Sequence, residues 1–541
     1  MLRPKHKPET NLCEIIDQLG GYHPITSGNT EISVTGISMN SKVVQPGDLY
    51  AAVAGSQHHG ADYIDQAIAA GAVAVLTDAV GIRRVPDQYA AIVVDDVRGA
   101  LADAAALIYG NTNSQHPKVY GVTGTNGKTT TTYFLEALLA AVGKTTGLIG
   151  TIETRIAGQS VPSQFTTPEA PALHSLIARM REANVSAAAM EVSSHAMAYK
   201  RTFGLRYAVA GFTNLTQDHL DLHGSMAEYF AAKAMLFNDE HSVQRVVTLN
   251  GGAEPVWGQQ LADQVPNAVT LDLGPAAGAP SSVQDPTWKI QSIHQTGLGH
   301  QFTLEHESGY TVTTRVGMPG KFNIANAALA ATMVFTGHDR AEWDTITAAL
   351  QNTEKSPFDS SVPGRMEVIA DQPTVIVDFA HNPDGLTQAL KAVNHASAQR
   401  YDTGRTIIIF GATGQRDTAK RPLMGRIAAQ HADIVIVTDD DPHGEDPATV
   451  RKAVVDGARA YAASCTNGPE VIEIAPRAAA LDQAISLARP QDTILAAGRG
   501  HETQQDFAGE VIAIDDREVL RQSLVDHGFI THGCASTEDT D

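Results

Sequence analysis

The sequence predicts an α/β chain of three domains, and three observations carry that prediction. Its 541 residues exceed what a single hydrophobic core holds, and 43% hydrophobic content supplies several cores. Short β-branched runs alternate with helical periodicity over much of the chain, the pattern of βαβ units and parallel sheets. A β-branched run also breaks into a glycine loop that opens a helix at Lys118–Thr132, KVYGVTGTNGKTTTT.

Residues 1–116 read as a small α/β domain. Strand-like runs fall at Thr30–Ile37, Asp48–Val53, Ala72–Leu76 and Ala91–Val94, and a helix over Tyr63–Ala70 stops at Gly71, a favourable C-cap. Residues 117–360 form a central domain on a parallel sheet, in which Asn250–Gln301, rich in Gly, Pro and Ser, is expected as loops or a small insertion. SPFDSSVPGRME at Ser356–Glu367 punctuates the chain as a linker. Residues 361–541 carry buried strand runs at Thr374–Asp378, Thr406–Phe410, Ile434–Thr438 and Thr493–Ala497, a second open, Rossmann-like sheet. The last residues, 535–541, are expected to be disordered.

Charge and cysteine usage narrow the function. Lys plus Arg number 39 against 60 Asp plus Glu, a net of −21, which opposes a nucleic-acid or anionic-membrane partner. The three cysteines, Cys13, Cys465 and Cys534, are too far apart for a disulfide framework or a zinc motif. The expectation is reduced thiols in a cytoplasmic, monomeric protein with no membrane insertion, since no run of about 18 apolar residues occurs.

Lys118–Thr132 has the parts of a triphosphate site. The loop Gly124, Thr125, Asn126, Gly127 can turn backbone N–H groups onto phosphate oxygens. Lys128 supplies a charge, and Thr129 and Thr130 open the helix, the Thr129 hydroxyl being able to ligate Mg²⁺. The general pattern G-x-x-x-x-G-K-[ST] is met except at its first position, which is Val122. ATP is the expected nucleotide.

Ligands of open sheets sit beyond the carboxyl ends of the strands. The run Val185–Val192 ends in MEVSSH, placing Glu191 and His195 there, with Glu191 a hard oxygen donor for Mg²⁺. The next run, Tyr207–Thr213, leads into Asp218, His219, Asp221 and His223, candidates for metal or phosphate contact. Downstream, helical spacing puts Met226, Phe230, Lys233 and Phe237 on one face. Spacing leaves Lys233 either snorkelling outward or held inward for chemistry. In the last third, His381 stands at a strand-to-helix turn, and Arg416, Lys420 and Arg421 form a candidate phosphate clamp. Asp439–Asp441 read either as a solvated turn or as a cation site.

These motifs resemble, in order, those of the Mur ligases: GTNGKTT, TTP at Thr166–Pro168, MEVSSHA, FTNLTQDHLDLHG, AAK, GRME, DFAHNPDGL, RD…KRPLM, DDPHGEDP and GHE. The likeness spans all three domains and is greatest to the members that add the third residue of the peptidoglycan stem peptide. It implies phosphorylation by ATP of the D-glutamate carboxylate of UDP-N-acetylmuramoyl-L-Ala-D-Glu, then attack on the acyl phosphate by a free diamino acid. Position by position, it implies that Met39, Ser41, Ser56, Gln57 and His58 hold the uridine nucleotide. Thr166, Thr167, Ser193 and Arg201 would contact the muramoyl dipeptide. Lys128, Lys233, His219 and Arg416 would be catalytic, with Lys233 carbamylated, and Thr129, Glu191, His219 and Lys233 would serve Mg²⁺. His381 would lie near the nucleotide. Arg416, Asp440, Asp441, His443, Gly498 and Glu502 would surround the incoming amino acid.

The sequence departs from the family pattern in places. ATGQRD stands where a cysteine–glycine-rich turn is usual, Phe165 and Tyr199 replace polar residues, and DDPH replaces DNPR. His443 for the arginine and Asp441 for the asparagine disfavour a distal carboxylate and favour a distal ammonium. The expected amino acid is therefore L-lysine or L-ornithine, the alternative being meso-diaminopimelate. Two other readings are a folylpolyglutamate-type or poly-amino-acid ligase, which would lack the first domain, and a non-catalytic P-loop protein.

Overall fold

The computed structural model describes residues 2–529 apart from 56, 113–116, 162–164, 252–255, 277–284, 353, 401–403 and 416, with backbone alone at 395–400. Ser56, Arg416 and the tail at 535–541 thus lie outside the described residues.

Three sheets carry the architecture. The first has five strands in the order Ile25–Ser27, Ala90–Val93, Ala74–Thr77, Asp48–Ala51 and Gly36–Ser38, parallel except at the first pairing. The helices Leu12–Gln18 and Val97–Ile108 bury Leu12, Ile15, Ala100, Leu101 and Ala104 against it. An N-terminal arm ties this sheet to the next unit. Arg3 forks onto Asp48 at 2.6 and 2.5 Å, Ser175 Oγ donates to the Leu2 carbonyl at 2.5 Å, and the Lys5 and His6 amides donate to Glu182, each at 2.9 Å.

The central sheet has eleven strands and is mixed rather than parallel throughout. Its parallel heart runs Thr146–Ile149, Ala187–Glu191, Lys118–Thr123, Tyr207–Phe212, Ser242–Thr248 and Val269–Asp272. These strands are apolar on both faces because helices cover both. Tyr120 and Val122 pack on the side of Phe134, Leu138 and the helix Lys321–Thr336, while Val119 packs on the side of Leu173, Ile177 and Met180. The expectation of loops over Asn250–Gln301 is corrected. A helix at Val256–Gln264 and strands at Val269–Asp272, Trp288–Thr296 and Gly299–His306 extend the sheet there. Gly, Pro and Ser mask these strands, whose alternation is clear at Trp288 and Ile290 and at Phe302 and Leu304, buried in one cluster with Phe335.

The third sheet has six strands, ordered Glu367–Asp371, Thr374–Asp378, Thr493–Ala497, Thr406–Phe410, Ile434–Val437 and Glu470–Glu473, all parallel but the first. The loops after Asp378, Phe410, Val437 and Ala497 leave the same edge, and that edge faces the glycine loop of the central sheet. None of the described helices is long and apolar enough to cross a membrane.

Candidate active site

The glycine loop leaves the strand Lys118–Thr123 and enters the helix Lys128–Ala141. Gly124 has φ of 146°, and a Cβ there would fall 1.8 Å from Thr213 Oγ1, so no side chain fits. The loop is laced to the end of the neighbouring strand. The Thr125 amide donates to the Asn214 carbonyl at 2.9 Å, the Asn126 amide to Asn214 Oδ1 at 3.0 Å, and Thr213 Oγ1 to the Asn126 carbonyl at 2.7 Å. A rigid loop leading into a helix N-terminus makes an anion cradle.

Lys128 is half-buried, and its Nζ donates to the carbonyls of Gly124 at 3.0 Å and Thr125 at 2.9 Å. Lys233 points inward, which decides between its two orientations. It is 1% exposed, donates to the Gly124 carbonyl at 2.7 Å, and lies 4.6 Å from the Tyr229 ring centre. Burial first, and then the charge of Lys128, push the Lys233 amine well below its usual pKa. Desolvation lowers Lys128 as well.

Glu191 ends its strand with the side chain buried. Its Oε2 accepts from Thr129 Oγ1 at 2.9 Å, and its Oε1 accepts from the Thr151 amide at 2.7 Å. Thr129 hydroxyl and Glu191 carboxylate are hard oxygens on the wall of the cradle, a donor set that fits Mg²⁺. His219 lies 4.9 Å, ring to ring, from His195, and burial, against the pull of Asp218, lowers its pKa to about 4. Asp218 goes the other way. Burial works to raise it, but His219, His381 and Lys420 outweigh burial and hold it at about 2. His381 Nε2 stands 3.9 Å from Asp218 Oδ2, and His223 is bonded to Ser194 Oγ at 3.0 Å.

The third sheet closes over the loop. Asn126 Nδ2 donates to Asp384 Oδ2 at 3.0 Å, Asn382 Nδ2 to Asn126 Oδ1 at 3.2 Å, and Arg365 Nη2 to Thr129 Oγ1 at 3.5 Å. The resulting cleft of about 1340 Å³ is lined by Thr125–Thr130, Thr166, Glu191, Ser193, His219, Arg365, His381 and Glu502 among others. One continuous space therefore runs from the glycine loop to Glu502.

Asp440 and Asp441 bring carboxylate oxygens within 4.8 Å of those of Glu502. Asp439 and Asp440 are buried, so the solvated-turn reading fails, and Asp439 pairs with Arg451. Gly498, with φ of 106°, leaves room beside Asp440, since a Cβ there would lie 2.9 Å from Asp440 Oδ2. The fully buried Arg499 stands at the centre, 2.9 Å from Asp441, 3.5 Å from Asp440 and 3.5 Å from Glu502. Burial and then Asp440 raise the Glu502 carboxyl to about 7. Sequence reasoning missed Arg499; its signal was an arginine between two glycines immediately after a buried strand.

Other expected residues are placed elsewhere. Ser41 is spent on Gln66 Oε1 at 2.9 Å, Met39 packs on the core of the first sheet, and Gln57 and His58 lie exposed in a loop. Thr167 Oγ1 donates to the Glu191 carbonyl at 2.9 Å and accepts from the Ser193 amide at 3.1 Å. Arg201 pairs with Glu169 at 2.8 Å, with its guanidinium 5.6 Å from Phe165 and 5.7 Å from Tyr199. The two aromatic departures thus flank the arginine expected to meet substrate. Of the candidate phosphate clamp, Arg416 lies outside the described residues, and the other two are placed as follows. Arg421 is held by Glu445 at 2.7 and 2.8 Å, and Lys420 donates to the His381 carbonyl at 3.1 Å.

The fold and the cleft together define an ATP-dependent acid–amino-acid ligase. Family models match in three consecutive blocks, "Mur ligase family, catalytic domain" at 33–109, "Mur ligase middle domain" at 122–334 and "Mur ligase, glutamate ligase domain" at 364–500. The chain belongs to the Mur ligase family. It is 39% identical over 533 residues to the UDP-N-acetylmuramyl-tripeptide synthetase of Leifsonia xyli subsp. xyli, with 98% of each chain covered. It is also 39% identical to the UDP-N-acetylmuramoyl-L-alanyl-D-glutamate–2,6-diaminopimelate ligase of Streptomyces avermitilis, covering 96% of this chain and 98% of that one. A solved structure of a ligase of the latter name superposes with TM-score 0.60 at 26% identity, covering 91% and 95% of the two chains.

Proposed function

We propose that this ligase joins a diamino acid to the D-glutamate carboxylate of UDP-N-acetylmuramoyl-L-Ala-D-Glu, with ATP as the energy source. The observation that carries this is the continuous cleft from the glycine loop to Glu502, whose carboxylate lies within 4.8 Å of those of Asp440 and Asp441. A carboxylate resists attack by an amine until it acquires a leaving group. In this reading the substrate carboxylate oxygen attacks the γ-phosphorus of ATP, ADP leaves, and an acyl phosphate results. The deprotonated amine of the diamino acid then attacks the acyl carbon, phosphate departs with the C–O electrons, and the amine proton passes to solvent or base. Phosphoryl transfer of this kind rests on positioning and charge neutralisation.

Lys128 provides charge to the transferring phosphoryl group. Thr129, Glu191, His219 and a carbamylated Lys233 would hold Mg²⁺, which would supply neutralisation of phosphate charge. A lysine amine whose protonated form is disfavoured by burial and by Lys128 is suited to take up CO₂, and the resulting carbamate is an anion. Arg365 and His381 complete the phosphate surroundings from the third sheet. Thr166, Ser193 and Arg201 are assigned to the dipeptide, and Met39, Ser41, Gln57 and His58 to the nucleotide end, although Ser41 must first release Gln66.

For the amino acid, the names of the relatives favour 2,6-diaminopimelate, which displaces L-lysine and L-ornithine as the first choice. The second reading keeps those two on a specific observation. The trio is acidic, and three arginines near it are engaged, Arg499 by the trio, Arg477 by Asp516, and Arg451 by Asp439 and Glu473, while Arg365 shares the cleft with Glu502. A distal ammonium fits that field better than a distal carboxylate. The test is ADP release with UDP-N-acetylmuramoyl-L-Ala-D-Glu and meso-diaminopimelate, L-lysine or L-ornithine. Release that depends on both the UDP substrate and one diamino acid supports the reading; release with folate-type substrates instead, or none, overturns it.

A further inference from the structure

The hairpin Gln504–Phe507 and Glu510–Ala513 lies outside all three sheets yet reaches the acidic trio. Its Gln505 side chain donates to the Asp440 carbonyl at 2.8 Å. The Asp506 amide donates to Asp441 Oδ1 at 3.0 Å, the same oxygen that receives Arg499 at 2.9 Å. The Asp506 side chain takes His443, with Nδ1 at 2.9 Å from Oδ2. His443 is locked from three directions, because its amide also donates to the Asp506 carbonyl at 3.0 Å and its carbonyl accepts from Ala508 at 2.6 Å. It holds φ of 50°, a conformation that a non-glycine residue keeps only when its surroundings enforce it.

We infer that Asp506 is a positioning residue for amino-acid selectivity. This rests on the reading of the trio as the amino-acid pocket. One residue performs two tasks: its amide fixes the orientation of Asp441, and its carboxylate holds the side chain at position 443, in the loop after Val437, against the hairpin. Any cation placed at 443 meets Asp506 first, since an arginine forks readily onto a carboxylate. Selectivity for the distal end of a diamino acid is therefore set by the pair 443–506 and not by position 443 alone. The Asp506 carboxylate is 41% exposed, so its removal is compatible with folding.

The experiment measures kcat/KM for meso-diaminopimelate and L-lysine, and KM for ATP and the UDP substrate, in wild type, D506A, D506N, H443R and H443R/D506A. D506A is expected to raise KM for the amino acid that the wild type uses by about tenfold, with kcat and the other two KM values within about twofold. D506N, which keeps a hydrogen-bonding partner for His443, is expected to recover most of that loss. H443R alone is expected to change the meso-diaminopimelate to lysine ratio by less than about twofold, and the double variant to raise it about tenfold. An H443R ratio equal to that of the double variant, or an unchanged KM in D506A, overturns the role of Asp506 while leaving the ligase reading intact. A wild type that uses neither amino acid overturns both.

Discussion

Lys128 and Lys233 donate to the same acceptor, the carbonyl of Gly124, at 3.0 and 2.7 Å. Burial lowers the pKa of both amines, and the charge of Lys128 lowers Lys233 further. Lys128 is the one of the two that lines the cleft, where phosphate would lie.

Replacing Lys128 with Ala should lower kcat by about 10³-fold, the loss expected when one preorganised charge is removed from a transition state. Circular dichroism and the urea midpoint should stay close to wild type, because the loop is held by Asn214 and Thr213. ADP release under saturating ATP is the measurement, and near-wild-type turnover contradicts the assignment.

Lys233→Ala should be inactive, and added short-chain carboxylate should restore part of the rate by supplying the missing anion. Intact-mass measurement under CO₂-equilibrated buffer should find the carbamate adduct on the wild type and not on the variant. A fully active Lys233→Gln would show that charge at this position is immaterial.

Glu502 titrates near 7 by virtue of burial and Asp440. The anionic form attracts a distal ammonium, so kcat/KM for the diamino acid should rise as pH increases through about 7. Glu502→Gln should flatten that step while leaving KM for ATP in place. The stability sign is opposite. The native state keeps a proton that the unfolded chain has lost, so stability falls as pH rises from the usual glutamate range towards 7. A pH profile identical in the variant rules Glu502 out as the titrating group.

Asp516→Ala should destabilise the third unit by about 3–5 kcal/mol, the cost of leaving a buried charge uncompensated. Arg477 is fully buried and paired bidentately with Asp516 at 2.8 and 2.5 Å, and it also donates to the Asp439 and Ala497 carbonyls at 3.1 and 3.0 Å. Denaturant unfolding checks the magnitude. A change below about 1 kcal/mol would mean that solvent reaches Arg477.

The glycine loop was legible because its signal is local: strand, turn residues, lysine and helix start lie within fifteen consecutive positions. Strand ends were legible for the same reason, and Glu191 and His219 both line the cleft as their positions suggested. What stayed hidden depends on partners far along the chain. Arg499 and Asp441 are 58 residues apart, and Asn126 and Asp384 are 258 apart, separations that no periodicity encodes. The strands within Asn250–Gln301 were lost for a different reason, since turn-forming residues diluted the alternation that marks a half-buried strand.

The N-terminal arm has a mechanical corollary. Arg3, Lys5 and His6 strap the first sheet to the helix Ala170–Glu182 and its surroundings, so those two lobes behave as one handle. Across the cleft, among the described residues, a polar seam of Asn126, Asn382, Asp384 and Arg365, with His381 beside Asp218, joins the surroundings of the glycine loop to the third sheet. A fluorophore pair set across that seam would report any opening between the two units as nucleotide loads and leaves.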